Sequence, residues 1–104
     1  MKKFYIIEII VFFLFSTLAA NAEKINNFEN GKKLFESNQL DKSKVLFERD
    51  IVFFPKNEKS YLYLAKIFKS QDNDEELETN LNTVLLLDPK NDEALYMLVL
   101  LKIE

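Results

Sequence analysis

Beyond residue 22 the chain alternates between apolar stretches at helical spacing and short polar breaks. The apolar runs are Val45–Phe54, Tyr61–Phe68, Leu81–Leu87 and Leu95–Ile103, and Ile25–Phe35 carries the same period more weakly. Breaks fall at Ser37–Asp41 and Ser70–Asp74, each between two amphipathic stretches, and at Pro55 and Pro89. Proline lacks an amide donor and disfavours helix in the residue before it, while Asn57 and Asn91 are good N-cap residues for the helices after them. The pattern predicts five helices, at about 24–37, 42–54, 58–70, 75–87 and 92–103, in an all-α chain whose short loops make neighbours antiparallel.

The second proline repeats the first. Phe54-Pro55-Lys56-Asn57-Glu58 returns 34 positions later as Asp88-Pro89-Lys90-Asn91-Asp92, each copy between two apolar helical stretches. With that interval the chain resembles the tetratricopeptide repeat family, whose unit is a helix-turn-helix of about 34 residues. In the first unit the family's glycine falls on Gly31, the next aromatic position on Leu34, its small residue on Ser43, a later aromatic on Phe47 and the closing proline on Pro55. In the second, the leading aromatic is Tyr61, followed by Leu64, Ala65 at the glycine position, Phe68, Leu77, Leu81 and Pro89; the third begins with Leu95, Leu98 and Val99 and stops. The resemblance implies antiparallel helix hairpins stacked as a short right-handed solenoid of about two and a half repeats, in units of about 24–57, 58–91 and a partial 92–104. Two departures matter. Asn27 and Asn30 stand where the family packs an aromatic and a leucine, so the first helix should bury less. Leu77 stands where a small residue lets paired helices approach, which implies a splayed pair or a shifted register.

In this family the first helix of each pair lines a groove that holds a peptide. The resemblance therefore implies a partner surface of Ile25, Phe28, Lys32 and Phe35 beside Lys59, Leu62, Lys66 and Lys69, continued by Tyr96 and Leu100. Apolar anchors with interspersed lysines suit a partner segment of partly acidic character, since desolvated aromatics supply affinity and lysines steer charge. The competing reading makes the lysines a solvated helix stripe. Lysines also stand where the family's carboxylate-clamp members use asparagines, so recognition of a C-terminal carboxylate is not expected. The last stretch is apolar nearly all round, and such a helix is buried on more than one side. Leu95, Leu98, Val99 and Leu101 are accordingly expected to dock on a second copy, on another protein or on further repeats.

Composition removes most chemistry. The chain has no His, no Cys and no Trp, hence no imidazole base, no thiolate, no soft metal ligand and no disulfide. Ser37, Ser43, Ser60 and Ser70 have no histidine to activate them, and no nucleophile motif surrounds them. Asp72–Glu76 has the carboxylate density of a calcium loop but lacks its turn glycine and distal glutamate, so it reads as a turn leading into an acidic helix N-terminus. A non-enzymatic chain without cofactor or metal is expected. The net charge of -3 shows no basic stripe, which argues against nucleic acid.

The segment Met1–Ala22 has the order of a secretory signal: Lys2 and Lys3, an apolar run from Phe4 to Leu18, then Ala20-Asn21-Ala22 as a signal-peptidase site with cleavage after Ala22. Glu8 inside the run disfavours permanent residence in a bilayer, and the absence of cysteine excludes a lipoprotein. The expectation is a bacterial protein, periplasmic or secreted: a protein-protein interaction module or scaffold in envelope assembly, with a protein partner or self-association. The alternative keeps the segment uncleaved, as the inner-membrane anchor of a structural or spacer subunit.

Overall fold

Two prolines and two left-handed turn residues divide residues 27–104, the part of the chain that the computed structural model describes, into five helices. These are α1 (Asn27–Glu36), α2 (Leu40–Phe53), α3 (Glu58–Ser70), α4 (Asp74–Leu87) and α5 (Asp92–Ile103), with no strand among the described residues. The all-α expectation holds, and α3 and α5 have the bounds predicted for them. α2 begins earlier than its apolar run because the Ser43 N–H reaches the Gln39 carbonyl at 3.0 Å and Leu40 packs against the core. The signal segment with Ala20 and Ala22, and the groove position Ile25, lie outside the described residues.

The interval of 34 positions is present in the backbone. Leu40 and Asp74 start equivalent helices, as do Glu58 and Asp92. Asn38 (φ 62°) and Asp72 (φ 54°) take the left-handed turn at the same place in each unit, a conformation that short polar side chains tolerate. The Phe54 N–H donates to the Asp50 carbonyl at 2.7 Å, and the Asp88 N–H to the Val84 carbonyl at the same distance.

Side-chain capping follows the repeat only in part. Asn91 caps α5 by accepting from the Ala94 N–H at 2.9 Å, and Asn73 caps α4 by accepting from the Glu76 N–H at 3.2 Å. Asn57, expected to do the same for α3, instead turns its amide to the Asp50 carboxylate at 2.8 Å. The cause is the residue one unit back: Asp50 in α2 corresponds to Val84 in α4, which offers nothing to hold Asn91 away from its helix. Asp50 is 4% exposed and also accepts from the Ser60 hydroxyl at 2.5 Å, which leaves two side chains of the α2–α3 junction tied to one buried carboxylate. Ser43, the other fully buried serine, has a hydroxyl with no hydrogen-bond partner.

The principal packing joins helices consecutive in sequence, α1 with α2 and α3 with α4 forming the closest pairs. The core runs along the facing sides of α2, α3 and α4, where Phe47, Ala65, Ile67, Leu81 and Val84 are fully buried. Leu77 is only 3% exposed, so this large residue is taken into the core. α1 buries Gly31 alone, as its two asparagines led us to expect. A Cβ on Gly31 would stand 2.9 Å from Cε1 of Phe47 and 3.1 Å from two more ring atoms. That ring is stacked on Tyr63 at 4.9 Å and 13° and tilted against Phe28 at 5.9 Å, so it cannot step aside. For Gly31→Ala the gain of about 1 kcal/mol in helix propensity is therefore outweighed by an overpacking cost of about 1–3 kcal/mol. Urea denaturation should show a lower midpoint with an unchanged slope.

Candidate binding surface

The first helices of the successive units, α1, α3 and α5, carry an aromatic and charged surface. Phe28 and Phe35 of α1 meet Tyr63 of α3 edge-on, with ring centroids 5.9 and 5.1 Å apart. Lys66 of α3 lies over the Tyr63 ring at 5.0 Å and reaches across to Glu93 of α5, Nζ to Oε1 2.7 Å. Lys32 lies over the Phe28 ring at 5.9 Å. Such pairs contribute little where water reaches them, so they orient the lysines more than they stabilise the fold. Toward the far end, Lys69 of α3 and Leu100 of α5 line a cleft of about 130 Å³ with Leu77, Met97 and Leu101.

Of the groove positions derived from the sequence, Phe28, Lys32, Phe35, Lys66, Lys69, Tyr96 and Leu100 are exposed or half-buried. Leu62 differs. It is 9% exposed and part of the core, and its neighbour Tyr63 takes the place facing α1. The residues from Tyr61 to Phe68 are apolar almost throughout, so spacing alone does not fix which side of α3 faces its predecessor.

α5 divides the expected docking residues into two sets. Leu98 and Leu101 pack against the core, while Ala94 and Met97 are buried beneath them. Leu95, Tyr96, Val99 and Ile103 form the opposite face and are 42%, 65%, 56% and 74% exposed. Lys102 pairs with Glu78 of α4 and pins the last turn of the helix. A face of this composition at helical spacing is what a further layer of packing would cover.

One feature went unread in the sequence. At the end of α2, Val52, Phe53 and Phe54 are exposed, and an open depression of about 560 Å³ is lined by Phe53, Phe54, Pro55, Lys56, Asn57 and Glu58. The signal for it was Phe54 itself, an aromatic where the second copy of the repeat has Asp88.

Of the four serines considered as nucleophiles, Ser60 donates to Asp50, Ser37 and Ser70 donate to the Leu34 and Ile67 carbonyls, and Ser43 is buried without a hydrogen-bond partner. Among the described residues no group of three or more His, Cys, Asp or Glu side chains is arranged to hold a metal ion, and no helix is long and apolar enough to cross a membrane. Compared with known proteins, the chain matches no protein-family model and no curated sequence.

Proposed function

We propose that this chain is an exported, non-enzymatic interaction module of tetratricopeptide-like architecture, a short right-handed stack of helix hairpins that holds a protein partner. The observation that carries the reading is the outer face of α5, where Leu95, Tyr96, Val99 and Ile103 stand in solvent on a helix otherwise built into the fold. Burying one such side chain is worth roughly 1.5–3 kcal/mol, so an uncovered row of four strongly favours any occupant of matching shape. The face shared by α1, α3 and α5 is the second contact region of this reading, with Lys32 and Lys69 available to a partly acidic segment and Lys66 already paired with Glu93. Localisation in the periplasm or outside the cell follows from the N-terminal signal pattern, and envelope assembly is the setting we assign to it.

Size-exclusion chromatography with light scattering across a concentration series is the direct test. The purified chain should associate as concentration rises, and Val99→Asp, which places a carboxylate in the middle of the uncovered face, should suppress that. A monodisperse, stably folded monomer at every concentration would rule out self-association through this face and leave it to a different protein. The intact mass of the chain recovered after export tests the address: loss of the segment Met1–Ala22 is expected, whereas a full-length 12.3 kDa species in the membrane fraction supports the anchored alternative.

A further inference from the structure

The two proline turns share a backbone and differ in what their side chains hold. In the first, the Asn57 N–H donates to the Phe54 carbonyl at 3.0 Å, and in the second the Asn91 N–H donates to the Asp88 carbonyl at 3.1 Å. Across the first turn, side chains tie α3 to what precedes it. The Ser60 hydroxyl and the Asn57 amide reach back to the Asp50 carboxylate of α2, at 2.5 and 2.8 Å, and the Tyr61 hydroxyl donates to the Pro55 carbonyl at 3.0 Å. The positions 34 residues on from Asp50, Asn57, Ser60 and Tyr61 are Val84, Asn91, Ala94 and Leu95. Three of them carry no polar side chain, and Asn91 uses its oxygen on the Ala94 N–H, inside α5. Among the described residues no side-chain hydrogen bond joins α4 to α5 at the second turn.

Away from the turn α5 is held lightly as well. α3 buries six residues and α5 only two, Ala94 and Met97, with Leu98 and Leu101 packed on the core from one side. Its ion pairs to the earlier helices are Lys66 with Glu93, at 2.7 Å, and Lys102 with Glu78. Both lie where water reaches them, and such pairs contribute little. A helix of 12 residues is marginal by itself in water, so an α5 that leaves its seat also loses its own hydrogen bonds. Opening of this kind draws on α5's contacts alone and leaves the contacts of the larger core in place.

From these differences we infer that α5 is a hinged strap: it opens as one unit about the turn at residues 88–91 while α1–α4 stay packed. Opening bares Leu77 of α4, which is 3% exposed with the strap closed and lines one cleft with Met97, Leu100 and Leu101. The inference stands apart from the proposed interaction function, since a chain with no partner opens in the same way.

Native-state hydrogen exchange on the full chain, read residue by residue by NMR, is the test. Amides of residues 98–101 should share one protection factor, at least about tenfold below those of residues 65–68 and 81–84, tenfold corresponding to a difference of about 1.4 kcal/mol in opening. Leu95→Tyr supplies at the second turn the hydroxyl that Tyr61 supplies at the first. It should raise the protection of residues 98–101 about two- to tenfold and leave α3 unchanged. Glu93→Lys, which sets a like charge against Lys66, should lower protection in α5 alone, and Lys66→Glu in the same chain should restore it. Equal protection across α3, α4 and α5 would overturn the inference, because α5 would then open only with the whole domain. Protection that falls steadily toward Glu104 would also overturn it, as fraying from the end and not opening at the turn. So would a Leu95→Tyr chain with unchanged exchange in α5, which would place the weakness elsewhere than at the turn.

Discussion

Phe47→Ala should cost about 3–5 kcal/mol and remove the cooperative unfolding transition, because the substitution empties the centre of the first hairpin. Phe47 is fully buried, its ring stacks on Tyr63 and meets Phe28, and Gly31 exists in α1 to admit it. Both α1 and α3 therefore lose a common partner in α2, and α1, which buries only Gly31, has little else to hold it. A single domain of this size is stable by only about 5–10 kcal/mol, so the loss takes most of the margin. Phe53→Ala is the control. It removes the same ring from the same helix at a site that is 60% exposed, and its unfolding midpoint should stay within about 0.5 kcal/mol of the parent. Denaturant titration of the two variants side by side checks both; equal losses would mean that both rings are buried in solution.

The second large effect is expected at Asp50. Asp50→Ala removes the acceptor on which the Ser60 hydroxyl and the Asn57 amide converge, at 2.5 and 2.8 Å, leaving two donors at the α2–α3 junction without their partner and a small void. The expected loss is about 2–4 kcal/mol, since each buried group left unpaired costs roughly 1–3 kcal/mol and Asn57 can recover part of this by capping α3. Asp50→Asn keeps an oxygen for the serine but sets a second amide against that of Asn57, so it should fall between the parent and the alanine variant. Asn57→Ala in the Asp50→Ala background measures the coupling: losses that simply add would mean that the network does not act as one unit.

Much of this fold was legible in the sequence because its punctuation is local. Pro55 and Pro89 end helices by their own covalent structure, and the recurrence of Pro-Lys-Asn-acid set the interval of 34 positions that the helix starts then follow. Gly31, at the glycine position of the repeat pattern, stands inside a helical period, and the Phe47 ring is what it admits. The illegible parts depend on what a neighbour contributes. α3 and α5 are apolar around most of their circumference, so only tertiary contacts decide that Tyr63 rather than Leu62 faces α1, or that Leu98 and Leu101 turn inward while Tyr96 and Val99 turn out. Asp50 sits among Glu48 and Arg49 in a charged stretch that reads as solvated. Its burial became visible only once Asn57 and Ser60 were placed against it. The exposed aromatic end of α2 was hidden for a related reason: a run of Phe ahead of a proline looks like the close of a buried helix, and the turn carries it into solvent instead.

Packing between sequence neighbours also sets the kinetics of assembly. Each principal interface closes a loop of only a few residues, so the entropy lost before the first favourable contact forms is small and the contact order of the chain is low. Chains of this kind fold on the microsecond to millisecond scale and need no distant segment to begin. A hairpin can close as soon as its second helix has emerged from a ribosome or a translocation channel, and the order of emergence becomes the order of packing. Among the described helices α5 is the last to emerge, and its outer face is still open when the four before it have packed.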